Sequence, residues 1–349
     1  MATLFPIPQP ISQNESLTRT IRGVKIAATG FYAAEKRVAN EDLRALGYDA
    51  DWIVQRTGIL ARHHALPGQS TSDMAIPAAR RCMADAGVAP HEIDLIIVAT
   101  MTPDHYTPSS SALVQAALGC RCPAFDLNAA CSGFMYALIV GSQFIKSGCA
   151  RKVLLIGADV MSMVVDPQDK KTYPLFGDGA GAALLTPDED ASEGDGCGIL
   201  AYRLASEGEL SHLLVVPAGG SRCPATHTAI ENRQQYLKME GQAVFKWAVR
   251  LIPEVIREML SHARLNLDDI DLFILHQANR RILDSAIEHL GVPPDKVFMN
   301  LDEYGNTSAA SIPISLDEAI RAGRINKGNR VLLCGFGAGL SWGACIFQF

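Results

Sequence analysis

The 349-residue chain holds nine cysteines, yet no Cys-x-x-Cys pair and no cysteine–histidine group with the spacing of a zinc site. That excludes the usual sequence signs of structural zinc and of a thioredoxin-type redox centre. The number of cysteines is odd and no secretory signal pattern is evident, so a disulfide framework is not expected. The reading is of reduced thiols in a cytoplasmic compartment. No apolar run approaches the ~18 residues of a membrane span. Positive charge is also scarce, with 31 Lys and Arg against 37 Asp and Glu. A net charge of -6 gives no electrostatic case for nucleic acid as the main partner, although a local basic face is still allowed.

What the chain does have is 48% hydrophobic residues, 19% charged residues and 29 glycines. This is the composition of a globular α/β protein with a sizeable core, long enough for one large or two ordinary domains. The opening "MATLFPIPQPISQNESLTRT" is polar and proline-rich. It reads as a flexible extension over 1–20, with an organelle-targeting peptide as the alternative.

Internal repetition organises the rest. "ADAGVAPHEIDLIIVAT" (84–100) and "SHARLNLDDIDLFILHQ" (261–277) share a plan: a helix end, a turn, then an apolar strand entered through Ile-Asp-Leu. "KSGCARKVLLIGAD" (146–159) resembles "RAGRINKGNRVLLCGFG" (321–337), and "GAALL" (181–185) resembles "GACIF" (343–347). Three matches in order argue for two homologous halves. Leu95–Val98, Val153–Ile156 and Leu272–Leu275 are continuous apolar runs, as expected of strands covered on both faces. Helices are expected over 71–86, 132–147, 243–261, 279–290 and 308–322. The expected fold is α/β, two layered halves related by an approximate twofold, spanning 21–190 and 241–349. Residues 191–240 have no counterpart in the repeat and read as an insertion or cap.

Within "DLNAACSGFMYAL" (126–138), Cys131 stands among small residues at the first turn of an expected helix. A helix N-terminus favours the thiolate, the nucleophilic form, and small neighbours leave room for an acyl group. A buried inert thiol is the competing reading, and the one assigned to the other eight cysteines. The offset of 177 between Asp94 and Asp271 places Ser308 opposite Cys131 and Ala99 opposite His276. A nucleophile candidate thus lies in one half and a base candidate in the other. His276 ends the strand "DLFILH", where α/β sheets usually carry chemistry. Asn306 lies in the polar turn "EYGNTSAAS", and "LLCGFGAGLSWG" (332–343) is a strand running into a glycine-rich turn. Their structural readings, a hydrogen-bonded histidine, a turn asparagine and a tight connection, stay open on local sequence alone. "GDGAGA" (177–182) fits G-x-G-x-x-A, but strand-like "ALLT" follows it rather than a phosphate-binding helix, so no dinucleotide site is assigned.

"AACSGF", "HQAN", "YGNTSAAS" and "GFGAGLSWG", in this order and at these separations, resemble the β-ketoacyl-[acyl carrier protein] synthase III family of the thiolase-like superfamily. The resemblance runs from about residue 21 to Phe349. It implies a layered αβαβα fold and a catalytic set of Cys131, His276 and Asn306. It also implies an oxyanion hole from the backbone N–H groups of Cys131 and Ala338. The implied reaction is a decarboxylative Claisen condensation that initiates fatty acid synthesis. Cys131 takes the acyl group from an acyl-CoA primer, and malonyl-acyl carrier protein then yields the β-ketoacyl product. No metal or redox cofactor is implied.

The same resemblance assigns Trp52 and Arg56 to the CoA adenine end, and Phe245 and Asn279 to the pantetheine arm. Arg281 matches the carrier-docking arginine. Lys246, Arg250 and Arg257 share a face of one expected helix, and with Arg280 they extend a basic surface for an acidic acyl carrier protein. Two departures stand out. Met163 replaces an arginine at the CoA end, which weakens the case for CoA as acyl donor or shifts its hold elsewhere. Thr107 replaces a phenylalanine that closes the primer pocket in some members, which leaves volume for a primer longer or more branched than acetyl. A homodimer is implied, with Thr107 near the partner's pocket. Two alternatives remain: an acyltransferase or condensing enzyme of specialised metabolism on the same scaffold, and a non-catalytic scaffold that binds acyl-carrier partners.

Overall fold

The computed structural model describes residues 17–189 and 196–349. Residues 1–16, most of the expected extension, lie outside the described residues, but Arg19 and Thr20 belong to strand β1 (Arg19–Arg22). The first half contains β2 (Val24–Ala33), α1 (Ala50–Thr57), α2 (Thr71–Ala86), β3 (Leu95–Ala99), α3 (Ser110–Leu118), β4 (Ala124–Leu127), α4 (Gly133–Lys146), β5 (Val153–Asp159) and β6 (Gly179–Pro187). The second contains β7 (Gly198–Ser206), α5 (Gly241–Ala263), β8 (Leu272–Leu275), α6 (Arg280–Leu290), β9 (Val297–Phe298), α7 (Ser311–Arg321), β10 (Arg330–Gly337) and β11 (Ser341–Gln348).

The duplication is visible in the strand order. The first sheet runs β2-β6-β5-β3-β4 and the second β7-β11-β10-β8-β9, with β1 added antiparallel beside β7. In both, the three inner pairs involving β3 and β5, or β8 and β10, repeat the same parallel and antiparallel senses. One expectation is thereby corrected. Residues 198–206, placed in an insertion, are the second half's own first strand, antiparallel to β11 as β2 is to β6. Its outer end is only half-buried, so it lacks the continuous apolar run that marks its neighbours.

Strand periodicity explains the layers. In β3 and β5, Ile97 and Leu155 point into a core shared by the two sheets, while Ile96, Val98, Leu154 and Ile156 point into an outer core with α2. β8 and β10 do the same, with Phe273 and Leu332 against α5 and α6. Helices α4 and α7 fill the space between the sheets, through Phe134, Leu138, Ile312 and Leu316. The result is five layers, αβαβα. Each fully buried leucine or isoleucine contributes roughly 1.5–3 kcal/mol, so the central helices are held from both sides. Their N-terminal turns therefore meet near the pseudo-twofold in fixed positions.

Candidate active site

Two short turns meet there, Ala130–Ser132 leading into α4 and Ser308–Ala310 leading into α7. Each opens on a non-glycine residue in the left-handed region, Ala130 at φ 46° and Ser308 at φ 52°. That correspondence sets a local offset of 178, so the counterpart of Cys131 is Ala309 rather than Ser308. Residue 272 still follows 95 by 177, and the extra residue enters between β8 and the second turn.

Cys131 is buried against the end of β10. A Cβ on Gly337 would stand 2.7 Å from Cys131 Cβ and 2.9 Å from its N, so glycine is required for the close approach. The backbone N–H groups of Cys131 and Ala338 favour the thiolate, as does the nearby Ser308 hydroxyl, but burial outweighs them and pushes the thiol up to about 11. Burial thus acts against the effect of helix position and favours the protonated thiol.

His276 is buried where β8 ends, its backbone N–H donating to Cys334 O at 2.8 Å. Nδ1 lies 2.6 Å from Ser311 Oγ, and the ring packs edge-on against Phe336, beside Gly337, at 5.2 Å between centroids. Burial holds its pKa down to about 3, so the imidazole is neutral. The Nδ1–Ser311 contact fits either neutral tautomer; the one in which Ser311 Oγ–H donates to Nδ1 carries its proton on Nε2. Gln277 braces the strand end, donating to Leu275 O at 2.7 Å and accepting the Asn300 N–H at 3.2 Å.

Asn306 Oδ1 accepts the Ser308 N–H at 2.9 Å, which leaves the amide NH2 as the free end. Its backbone is clamped to the segment before β6: Asn306 N–H donates to Leu175 O at 2.8 Å and Gly177 N–H to Asn306 O at 3.0 Å. The glycine-rich "GDGAGA" therefore supports Asn306 and runs into a strand, in accord with rejecting a dinucleotide site there.

A cavity of about 1230 Å³ opens beside the Cys131 turn, walled by Ala129, Ala130, Tyr136, Thr107, Met163 and Ala338. Thr107 and Met163 are both exposed on it.

Trp52, Arg56, Asn279, Arg281 and Phe245 are linked in one strip. Arg56 lies over the Trp52 ring at 5.8 Å. Asn279 Nδ2 donates to Arg56 O at 3.3 Å, while its Oδ1 accepts the Arg281 N–H at 2.9 Å and caps α6. The Arg281 guanidinium lies over Phe245 at 5.7 Å. Arg280 pairs with Asp284 at 2.7 Å. Lys246, Arg250 and Arg257 are exposed on α5, with Arg257 also donating to His289 O at 3.0 Å.

Sequence reasoning missed Ser311, Gly337 and Asp159. Ser311 closes the quoted "GNTSAAS", and Gly337 lies in the quoted glycine-rich turn. Asp159 ends β5, and its only signal was its alignment with Gly337 in the repeat.

Two family models match: "3-Oxoacyl-[acyl-carrier-protein (ACP)] synthase III" over residues 125–208, and its C-terminal companion over residues 260–349. The chain is 56% identical over 342 residues to a β-ketoacyl-[acyl-carrier-protein] synthase III of Rhodopirellula baltica, covering 94% of this chain and 99% of that protein. It is 45% identical to the protein of that name from Caldanaerobacter subterraneus, covering 93% and 97%. The crystal structure of 3-oxoacyl-[acyl-carrier-protein] synthase III from Aquifex aeolicus superposes with a TM-score of 0.85 at 43% identity, covering 94% of this chain and all of that one. Together with the duplicated fold, these matches show that the chain belongs to the β-ketoacyl-[acyl-carrier-protein] synthase III family, thiolase-like acyltransferases that catalyse the condensation initiating fatty acid synthesis.

Proposed function

We propose that Cys131, His276 and Asn306 carry this condensation in two steps. Cys131 attacks the thioester of an acyl-CoA primer, the Cys131 and Ala338 N–H groups stabilise the oxyanion, and the thiol proton given up by Cys131 is balanced by protonation of the departing coenzyme A sulfur. After coenzyme A leaves, malonyl-acyl carrier protein enters and loses CO2. The enolate oxygen accepts from His276 Nε2–H and Asn306 Nδ2–H, both neutral donors that need no proton to be lost. The carbanion then attacks the acyl-cysteine and releases the β-ketoacyl product. The observation that carries this reading is the Asn306–Ser308 bond, which commits the amide oxygen and leaves an N–H for an anion.

Thr107 and Met163 wall the primer cavity, and primers larger than acetyl fit beside Ala129 and Ala130. The strip from Trp52 to Phe245 takes the CoA and pantetheine arm, and Arg280, Arg281, Lys246, Arg250 and Arg257 dock the acidic carrier. The protein acts as a cytoplasmic homodimer. All nine cysteines are free thiols, and no helix among the described residues is long and apolar enough to cross a membrane.

Single-turnover assays with labelled acyl-CoA and malonyl-acyl carrier protein test the reading. Wild type should release CO2 and form product. Cys131→Ala should form no acyl-enzyme, and product formation by that variant at the wild-type rate would refute the assignment.

A further inference from the structure

Arg62 is fully buried and has no part in the chemistry above. It stands in "GILARHHA" on the short strand Ala61–His64, which pairs antiparallel with Lys36–Ala39. A guanidinium keeps its charge inside a protein, yet among the described residues no carboxylate is bonded to this one. Its partners are neutral oxygens from three segments. Nη1 donates to Val38 O at 3.2 Å, and Nη2 donates to Asn40 Oδ1 at 2.8 Å and to Pro174 O at 2.7 Å. Nε, also buried, has no partner. Burying a cation on these terms is unfavourable, and an apolar side chain of similar size would fill the space without that desolvation. What an apolar chain cannot do is hold three oxygens at fixed separations.

Pro174 O lies one residue before the clamp on Asn306. Leu175 O accepts the Asn306 N–H, Gly177 N–H donates to Asn306 O, and Phe176 and Asn306 form a parallel bridge. The stem of Arg62 lies at this crossing. A Cβ on Gly177 would stand 3.3 Å from Arg62 Cβ, and one on Gly305, the residue before Asn306, would stand 3.2 Å from it. The chain around Arg62 also holds both segments through its backbone: Leu60 N–H donates to Asp302 O at 2.8 Å, and His63 O accepts the Asp178 N–H at 2.7 Å. Beyond Asn306, Asp159 Oδ2 accepts the Ala309 N–H at 3.1 Å. The Asn306 turn is thus gripped on both sides, with Arg62 tying the Pro174–Gly177 segment on its leading side. The Ala130–Ser132 turn takes part in none of these bonds.

We propose that Arg62 is a positioning residue for decarboxylation, setting the Asn306 amide by holding the Pro174–Gly177 segment against it. The proposal rests on the reading of Asn306 as a donor to the enolate oxygen. Such a hydrogen bond weakens steeply as its distance and angle depart from the optimum. A displacement of ~1 Å, made by a change remote from the chemistry, costs about 10²-fold in rate. Without the guanidinium, Pro174 O and Asn40 Oδ1 lose the donor they share, and the segment that clamps Asn306 loses its side-chain anchor. Acylation relies instead on Cys131 and the Ala338 N–H, to which Arg62 is not bonded. Arg62 therefore serves the second step and is indifferent to the first.

The test compares the two steps in single turnover, using the full chain. Acylation is read from the mass of the Cys131 peptide, and decarboxylation from the CO2 released when malonyl-acyl carrier protein meets acyl-enzyme formed beforehand. Arg62→Met removes the donors and leaves no bonded acid without its partner. It should slow decarboxylation by about 10–100-fold and change acylation by less than about twofold. In the Asn306→Ala background it should slow decarboxylation no further, because a residue that acts through Asn306 then has nothing to act on. A merely structural role would add its own loss there and would slow both steps. Equal slowing of both steps, no slowing of decarboxylation, or additive losses in the double variant overturns the proposal. Should Arg62→Met not fold, Arg62→Lys carries the same comparison, since one ammonium does not reproduce the guanidinium fork. Selective slowing of decarboxylation then supports the role, and equal slowing or none refutes it. If Asn306→Ala decarboxylates at the wild-type rate, the reading of Asn306 itself falls. That result is distinct from an Arg62 variant that spares a step which Asn306→Ala loses.

Discussion

Asn306 repeats Asn128 across the pseudo-twofold. Asn128 Oδ1 accepts the Ala130 N–H at 3.1 Å, and Asn306 Oδ1 accepts the Ser308 N–H at 2.9 Å. One turn geometry, used twice, thus presents a thiol in one half and a carboxamide donor in the other. Asn306→Ala should keep acyl transfer to Cys131 but slow decarboxylation by about 10²–10³, the usual loss for one oxyanion donor. Separate single-turnover measurements of acylation and CO2 release check this, and survival of both steps would remove Asn306 from its role.

His276 gives a pH prediction. Its folded pKa, about 3, lies below its ordinary value of 6.5. The unfolded chain therefore binds the extra proton between those limits, and stability rises with pH across the window. The contribution is fully present above about pH 6.5 and is lost as pH falls toward 3. Denaturation midpoints measured over this range should fall with acid, and less steeply in His276→Gln. The decarboxylation step should also show no inflection near pH 6.5.

Gly337→Ala would place a methyl 2.7 Å from Cys131 Cβ and 3.1 Å from its Sγ. Neither turn nor strand can yield, because the central helices are packed from both sides. A loss of about 1–3 kcal/mol in stability, together with slowed acylation of Cys131, is the expected outcome in thermal denaturation and peptide-mass assays.

Thr107→Phe should shrink the cavity beside Ala129 and Ala130. Competition among acyl-CoAs of rising length and branching should then shift toward acetyl. An unchanged primer profile would separate Thr107 from primer selection.

Arg281→Ala should raise KM for malonyl-acyl carrier protein by roughly tenfold, equivalent to ~1.4 kcal/mol, while acylation by acyl-CoA changes little. The wild-type rate with the carrier substrate should fall as salt rises. A rate indifferent to ionic strength would contradict docking by this basic surface.

The layers were legible because their signals are local. Leu272–Leu275 and Thr71–Ala86 have the expected bounds, one marked by a continuous apolar run and the other by helix and turn chemistry. β7 was missed because its outer end is half-buried and lacks that run. The duplication was legible, but its register near the turns was off by one, since a residue enters after β8. The position of Cys131 before a helix was also readable. The upward pull of burial on its pKa was not, because that burial depends on β10 and Gly337, some two hundred residues away. A separation of 150 residues hid Asp159, which meets the Ser308–Ala310 turn only once both sheets are assembled.

The central claim is that Cys131, among nine free thiols, is the acyl acceptor. Incubation with mixed acyl-CoAs, digestion, and mass analysis of the cysteine peptides tests it most directly. The account predicts one acyl group, on the peptide carrying Cys131 and on no other. An acyl group on another cysteine, or none on Cys131 while the protein still forms β-ketoacyl product, would contradict it.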